Sequence, residues 1–124
     1  MGFASIIPEP EEDGYKRYLL EFESLRDFED EEYIIFKNSF NELFSLENTE
    51  DNKEIIMKID TRNIESIPIT TLYDFSYNLL EIKPRVQDIL KKTIIIVSRQ
   101  MVINAFKLVF MICSPISEIE YILE

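Results

Sequence analysis

Histidine is missing from this 124-residue sequence, and cysteine and glycine are scarce, with one and two residues. Without histidine, serine–histidine and cysteine–histidine catalysis are excluded, and a zinc site would have only carboxylates and one thiol as ligands. Two glycines are too few for a glycine-rich phosphate-binding loop. We therefore expect a protein that is not an enzyme and that holds no cofactor and no metal.

The single cysteine, Cys113, cannot form a disulfide within the chain, which suits a reducing compartment. It lies in an apolar helical stretch, so we expect a buried and unreactive thiol. The N-terminus lacks the basic and apolar regions of a signal peptide, and no apolar run is long enough to span a bilayer. These features predict a cytoplasmic protein without membrane insertion.

The formal charge of −11 is unevenly distributed along the chain. Residues 1–52 carry 15 acids and 4 bases, whereas residues 53–124 carry 9 of each. Such a surface repels phosphate backbones, so we expect no nucleic-acid binding. The acidic excess is interpreted either as a means of solubility or as a docking surface for a basic partner.

Strand-like and helix-like patterns alternate along the chain. The predicted strands are 15–23, 53–60, 93–98 and 117–123. The first predicted helix begins at the acidic run 29–32 and ends near Leu46. The second covers 70–82 with a continuation over 85–92 after Pro84, and the last, which Ser98 caps, ends near Cys113. The apolar runs in the second and third strands favour burial on both faces of the sheet. The pattern predicts a single-domain α/β fold of order β-α-β-α-β-α-β, with a mostly parallel sheet of four or five strands.

Residues 1–14 form a flexible arm or an edge strand in front of the α/β domain at 15–124. Pro8 and Pro10, in a run of acidic residues, are expected to forbid regular structure there. The Asp13-Gly14 dipeptide is a turn signal, so a hairpin with the next strand would form if the preceding residues pair.

The stretch Glu54–Leu72 is the strongest candidate for a functional segment. An apolar strand ends at Asp60, a polar loop with Pro68 follows, and a helix is predicted to begin at Thr70 or Thr71 with one of these threonines as its cap. In open α/β sheets, ligands and partners commonly bind where a strand feeds a loop and a helix N-terminus.

This segment resembles the corresponding one in STAS domains, the fold of bacterial anti-sigma factor antagonists and of sulfate-transporter tails. Asp60 and Leu72 match the family's pattern in type and spacing, while Pro68 stands where an acid is expected and Thr71 replaces a glycine. The resemblance covers about residues 3–124 in element order. It implies a STAS-like fold and makes Thr70 the counterpart of the residue, usually serine, that is phosphorylated in family members with a regulatory switch.

We therefore predict a regulatory or protein-interaction module of STAS-like fold that presents the loop–helix surface 61–73 to another protein. Thr70 and Thr71 are the candidates for phosphorylation. The residues expected to contact the partner are Asp60, Arg62, Ser66 and Tyr73. A homodimer is possible. Two alternatives remain: a structural assembly protein, for example a component of a viral or other multi-chain particle, and a small lipid- or nucleotide-binding domain.

Overall fold

The computed structural model describes residues 3–24 and 26–124. Met1 and Gly2 of the predicted arm, and Leu25 of the connection after the first predicted strand, lie outside these ranges. The elements are β1 (Ala4–Glu12), β2 (Tyr15–Phe22), α1 (Glu31–Glu42), β3 (Ile55–Asp60), α2 (Ile69–Val86), β4 (Leu90–Val97), α3 (Gln100–Ile112) and β5 (Glu118–Leu123).

The five strands form one sheet in their chain order, β1-β2-β3-β4-β5. The pair β1–β2 is antiparallel, and β2, β3, β4 and β5 are mutually parallel. The predicted α/β fold with a mostly parallel sheet is thereby confirmed. Right-handed crossovers that always advance in the same direction put all three helices on one face of the sheet.

Burial along the strands agrees with a single helical layer. Leu20 and Ile95, which share a row of the sheet through Ile59, are almost completely buried. Leu19 and Ile94, which point to the opposite face, are only half-buried. The predicted burial of β3 and β4 on both faces is therefore wrong, because the apolar runs supply more apolar surface than one layer of helices covers.

The first strand differs from the sequence prediction, since β1 continues through both prolines as far as Glu12. An edge strand leaves alternate N–H groups without a partner in the sheet, so proline is tolerated there. Asp13 and Gly14 have φ angles of 55° and 83°. Positive φ at both positions of a two-residue loop is the type I′ hairpin turn, which fits the twist of the strands.

The helices differ from prediction at three places. The first helix, α1, ends at Glu42 and not near Leu46 as predicted. Asp30 caps α1 by accepting a hydrogen bond from the backbone N–H of Glu32 at 2.9 Å. The predicted interruption at Pro84 is wrong, because α2 continues to Val86 and contains the proline in its last turn. The predicted cap of the last helix is also wrong, since Arg99 rather than Ser98 occupies the N-cap position and makes no capping side-chain bond.

Aromatic rings fill the core between β1, β2, α1 and α2. Phe36 is the centre of this group, with its ring 5.2 Å from Phe3, 5.4 Å from Phe22, 6.2 Å from Phe40 and 5.9 Å from Phe75, measured between centroids. A second, smaller cluster lies toward α3 and contains Ile64, Ile95, Val97 and Val102.

A row of polar contacts joins α1 to α2. The Tyr33 hydroxyl donates to the Asp74 carboxylate at 2.6 Å, Lys37 donates to the same oxygen at 3.0 Å, and Asn41 and Asn78 exchange amide hydrogen bonds at 3.0 and 2.9 Å. Burial, followed by the Asp74 hydrogen bond, raises the pKa of Tyr33 far above its ordinary value. These contacts fix the rotation of α2 and therefore decide which of its side chains face outward.

Candidate functional site

The loop between β3 and α2 is anchored to the sheet and to α3. The Thr61 hydroxyl and backbone N–H both donate to the carbonyl oxygen of Ile96, at 2.7 and 3.0 Å. Ile64 is buried in the smaller core cluster, and its carbonyl oxygen accepts a hydrogen bond from Arg99. Thr61 and Ile64 were not singled out as site residues, because their spacing from Ile96 and Arg99 in the sequence does not show that they meet.

Asp60 and Arg62 bind each other at the carboxyl ends of the strands. Asp60 accepts from Nε and Nη2 of Arg62 at 3.0 and 2.8 Å, and the third nitrogen, Nη1, donates to Glu124 at 2.8 Å. The Arg62 hydrogen bond lowers the pKa of Asp60, against the opposing effect of partial burial. The guanidinium group is thus held between two carboxylates of its own chain, and it links β3 to the residue after β5 across β4.

The two threonines do not cap α2. Pro68 is the N-cap residue, without a capping side-chain bond, and the helix begins at Ile69. The Thr70 hydroxyl donates to the Asp27 carboxylate at 3.0 Å, and the Thr71 hydroxyl donates to the carbonyl oxygen of Arg26 at 2.5 Å. The capping prediction is wrong because both hydroxyls instead tie α2 to the connection that precedes α1.

The two phosphorylation candidates differ in exposure. Thr70 is exposed, whereas Thr71 has only 4% of its surface exposed. In the folded protein a kinase would therefore reach Thr70 and not Thr71. Ser66 is exposed in the anchored loop, and Tyr73 is exposed one helical turn after Ile69.

An exposed apolar stripe runs along the outer surface of α2. It consists of Ile69, Tyr73, Tyr77 and Leu80, which are between 42% and 60% exposed. Their spacing of four, four and three residues places them on one side of the helix. We call these four residues the α2 stripe. Sequence reasoning found only Tyr73, although the same spacing test that identified the buried face would have found the others.

The helix next to α2, which is α3, also exposes apolar residues. Because α2 and α3 each connect parallel strands and pack against each other, they run in the same direction. Met101, Leu108 and Met111 of α3 are exposed.

Within residues 3–24 and 26–124, no group of three or more acidic, cysteine or histidine side chains is placed to hold a metal ion. Over the same ranges, none of the three helices combines the length and the apolar character that crossing a membrane requires.

Comparison with known proteins gives a match in three-dimensional structure and none in sequence. No protein-family model and no curated protein matches the chain. One match is the crystal structure of an uncharacterised DUF3478-family protein with a SpoIIAA-like fold, from Shewanella loihica PV-4. The superposition covers all of the present chain and 88% of the Shewanella chain. The TM-score is 0.63 and the sequence identity is 14%. The fold is SpoIIAA-like.

A SpoIIAA-like fold is STAS-like, so the predicted resemblance is confirmed at the level of the fold. At 14% identity the match concerns the path of the chain and not its surface chemistry. The functional argument therefore depends on the exposed residues of this protein itself.

Proposed function

We propose that this protein is a non-enzymatic regulatory module that binds a protein partner through the α2 stripe and the adjoining loop 61–68. The observation that carries the proposal is the stripe itself, four large apolar side chains exposed on a helix that is held on both sides. Residues that dominate protein–protein binding are enriched in tyrosine and are effective when they are already fixed in place.

Charge near the stripe favours a partner with basic groups at its edge. Asp27 and Glu65 are exposed close to the N-terminal end of α2, and the whole chain carries a net charge of −11. Opposite charge at the rim of an interface accelerates encounter and selects the partner, while the apolar centre provides most of the affinity.

Removal of the two stripe tyrosines is expected to abolish partner binding. In quantitative co-purification with mass spectrometry, a Tyr73→Ser/Tyr77→Ser variant should recover the specific partner at about one-tenth of the native level or less, because two central aromatic contacts are lost. Both side chains are exposed, so the free energy of unfolding should change by no more than about 1 kcal/mol.

The matched control is Tyr121→Ser/Leu123→Ser, which removes two exposed apolar side chains from β5 at an edge of the sheet. We expect it to recover the partner at the native level. Equal recovery by the two double variants would contradict the proposal. A stoichiometric multi-chain assembly that survives the stripe substitutions would instead support the structural alternative.

Thr70 is suited to regulate the same surface, because it lies next to Ile69 and within one turn of Tyr73. A phosphate on Thr70 would face two opposing influences: the N-terminus of α2 favours negative charge, and Asp27 opposes it. It would also remove the hydroxyl proton that Thr70 donates to Asp27. Phosphorylation would thereby loosen the link between α2 and the connection to α1.

The antagonism between Thr70 and Asp27 is measurable as a coupling free energy. We expect Thr70→Glu to be less stable than the uncharged Thr70→Gln. This difference in the free energy of unfolding should be about 0.5–1 kcal/mol larger in the native background than in an Asp27→Asn background. Urea unfolding of the four variants gives this number, and 1 M salt should shrink it. Zero coupling, or full partner binding by Thr70→Glu, would argue against the switch.

A further inference from the structure

An apolar cavity of about 150 Å³ lies between the sheet and the helices. Its walls come from both core clusters, with Phe36 and Phe75 on one side and Val102 and Phe106 on the other. Met57 and Ile95 of the sheet also line it. We call this space the core cavity, and it occupies the region where the two core clusters meet.

The core cavity offers almost nothing to a polar ligand. No charged side chain lines it. Most of the hydroxyl groups in its lining already form hydrogen bonds within the protein. Thr61 donates to the carbonyl oxygen of Ile96, and Thr71 donates to the carbonyl oxygen of Arg26. Tyr33 donates to Asp74, and the hydroxyl groups of Thr93 and Ser117 bind each other at 2.8 Å. A buried water needs two to four polar partners, so this space is expected to stay dry.

We propose that the core cavity is a binding site for a small, uncharged, apolar molecule about the size of one aromatic ring. Cavities of roughly 150 Å³ that are lined by leucine, isoleucine and phenylalanine are known to take benzene or xenon from water. Burial of apolar surface provides the driving force, and the surrounding aromatic edges and faces add favourable contacts. The lining has no group that could neutralise a phosphate or carboxylate, so nucleotides and lipid headgroups do not fit inside.

The connection from α3 to β5 contributes an exposed residue to the wall of the cavity. Ser114 lines the cavity and is exposed, and Ile116 and Ser117, which also line it, are half-buried. Cys113 precedes them, lines the same cavity and is 1% exposed. Because Cys113 is the sole cysteine of the chain, its thiol reports on occupancy at this end of the cavity without interference.

The first test measures the effect of benzene on thermal unfolding of the full chain, with benzenesulfonate as a charged control of similar ring size. Benzene at ten times its dissociation constant should raise Tm by about 3–6 °C, and benzenesulfonate should leave Tm unchanged. A Val109→Phe variant, which places a ring in the cavity, should lose the benzene-dependent rise.

The second test uses the native protein, so it does not depend on whether a cavity-filling variant folds. The rate at which methyl methanethiolsulfonate modifies Cys113 in the native protein should fall about tenfold at the same benzene concentration, since ligand and reagent compete for one space. No slowing together with no rise in Tm would overturn the proposal. Equal effects of benzene and benzenesulfonate would also overturn it, because binding would then be at the surface. Failure here leaves the partner-binding experiments on the α2 stripe unaffected.

Discussion

A Phe36→Ala variant is expected to lose about 3–5 kcal/mol of unfolding free energy, the largest effect of any substitution considered for this protein. Phe36 is 4% exposed, and its ring contacts those of Phe3, Phe22, Phe40 and Phe75. The variant loses the buried surface of the ring and leaves a void, which adds to a core that already contains a cavity. Urea unfolding followed by circular dichroism would measure the change.

Phe28→Ala provides the matched control for this prediction. Phe28 is 38% exposed in the connection before α1, so its removal creates no buried void. We expect a change of about 0.5 kcal/mol or less. Similar losses for the two variants would show that Phe36 is not the centre of the aromatic core.

Asp74→Ala is expected to cost about 2–3 kcal/mol of unfolding free energy, although Asp74 is itself only partly buried. The substitution leaves the hydroxyl of fully buried Tyr33 without its acceptor and Lys37 without its ion pair. A Tyr33→Phe/Asp74→Ala double variant should recover part of this loss, since it removes the stranded donor. A double variant that is no more stable than Asp74→Ala alone would contradict this account.

The cost of Asp74→Ala should also depend on pH. Burial opposes ionisation of Asp74, but the hydrogen bonds from Tyr33 and Lys37 outweigh it and lower the pKa of Asp74 below its ordinary value of 3.8. A carboxyl group with a lowered pKa in the folded state stabilises the protein above pH 3.8, and this contribution disappears as the pH falls through the folded-state pKa. The stability difference between native protein and variant should therefore be constant near neutrality and shrink in acid below pH 3.8.

Periodicity was sufficient to predict the order of the elements from β2 onward, while it left residues 1–14 open as a flexible arm or an edge strand. Apolar residues follow a strand-like spacing in strands such as Tyr15–Phe22 and a helix-like spacing in helices such as Gln100–Ile112. This local spacing indicates the type of element. Element ends were predicted less well. Pro84 stays inside α2 and the prolines of β1 stay inside a strand, because helix packing and an edge position make proline tolerable there.

The sequence pattern located the candidate residues on one strand–loop–helix segment, but it did not predict their contacts. Asp60, Arg62, Thr70 and Tyr73 do lie in or beside the loop between β3 and α2, as the strand–loop–helix pattern indicates. Their partners come from distant parts of the chain: Glu124 binds Arg62, and Asp27 binds Thr70. Contacts across 62 and 43 residues of sequence leave no local trace in a single sequence.

The amino-acid sequence by itself determined the absence of histidine chemistry, the alternation of strands and helices, and the turn signal at Asp13-Gly14, because each depends on residue identity or on neighbours in the chain. Only the tertiary structure decided that Pro68 rather than a threonine precedes α2, that Thr70 and Thr71 bind the connection before α1, and that a cavity lies where the two core clusters meet. These features depend on how helices rotate and pack on the sheet, and that rotation is set by distant contacts such as the one between Tyr33 and Asp74.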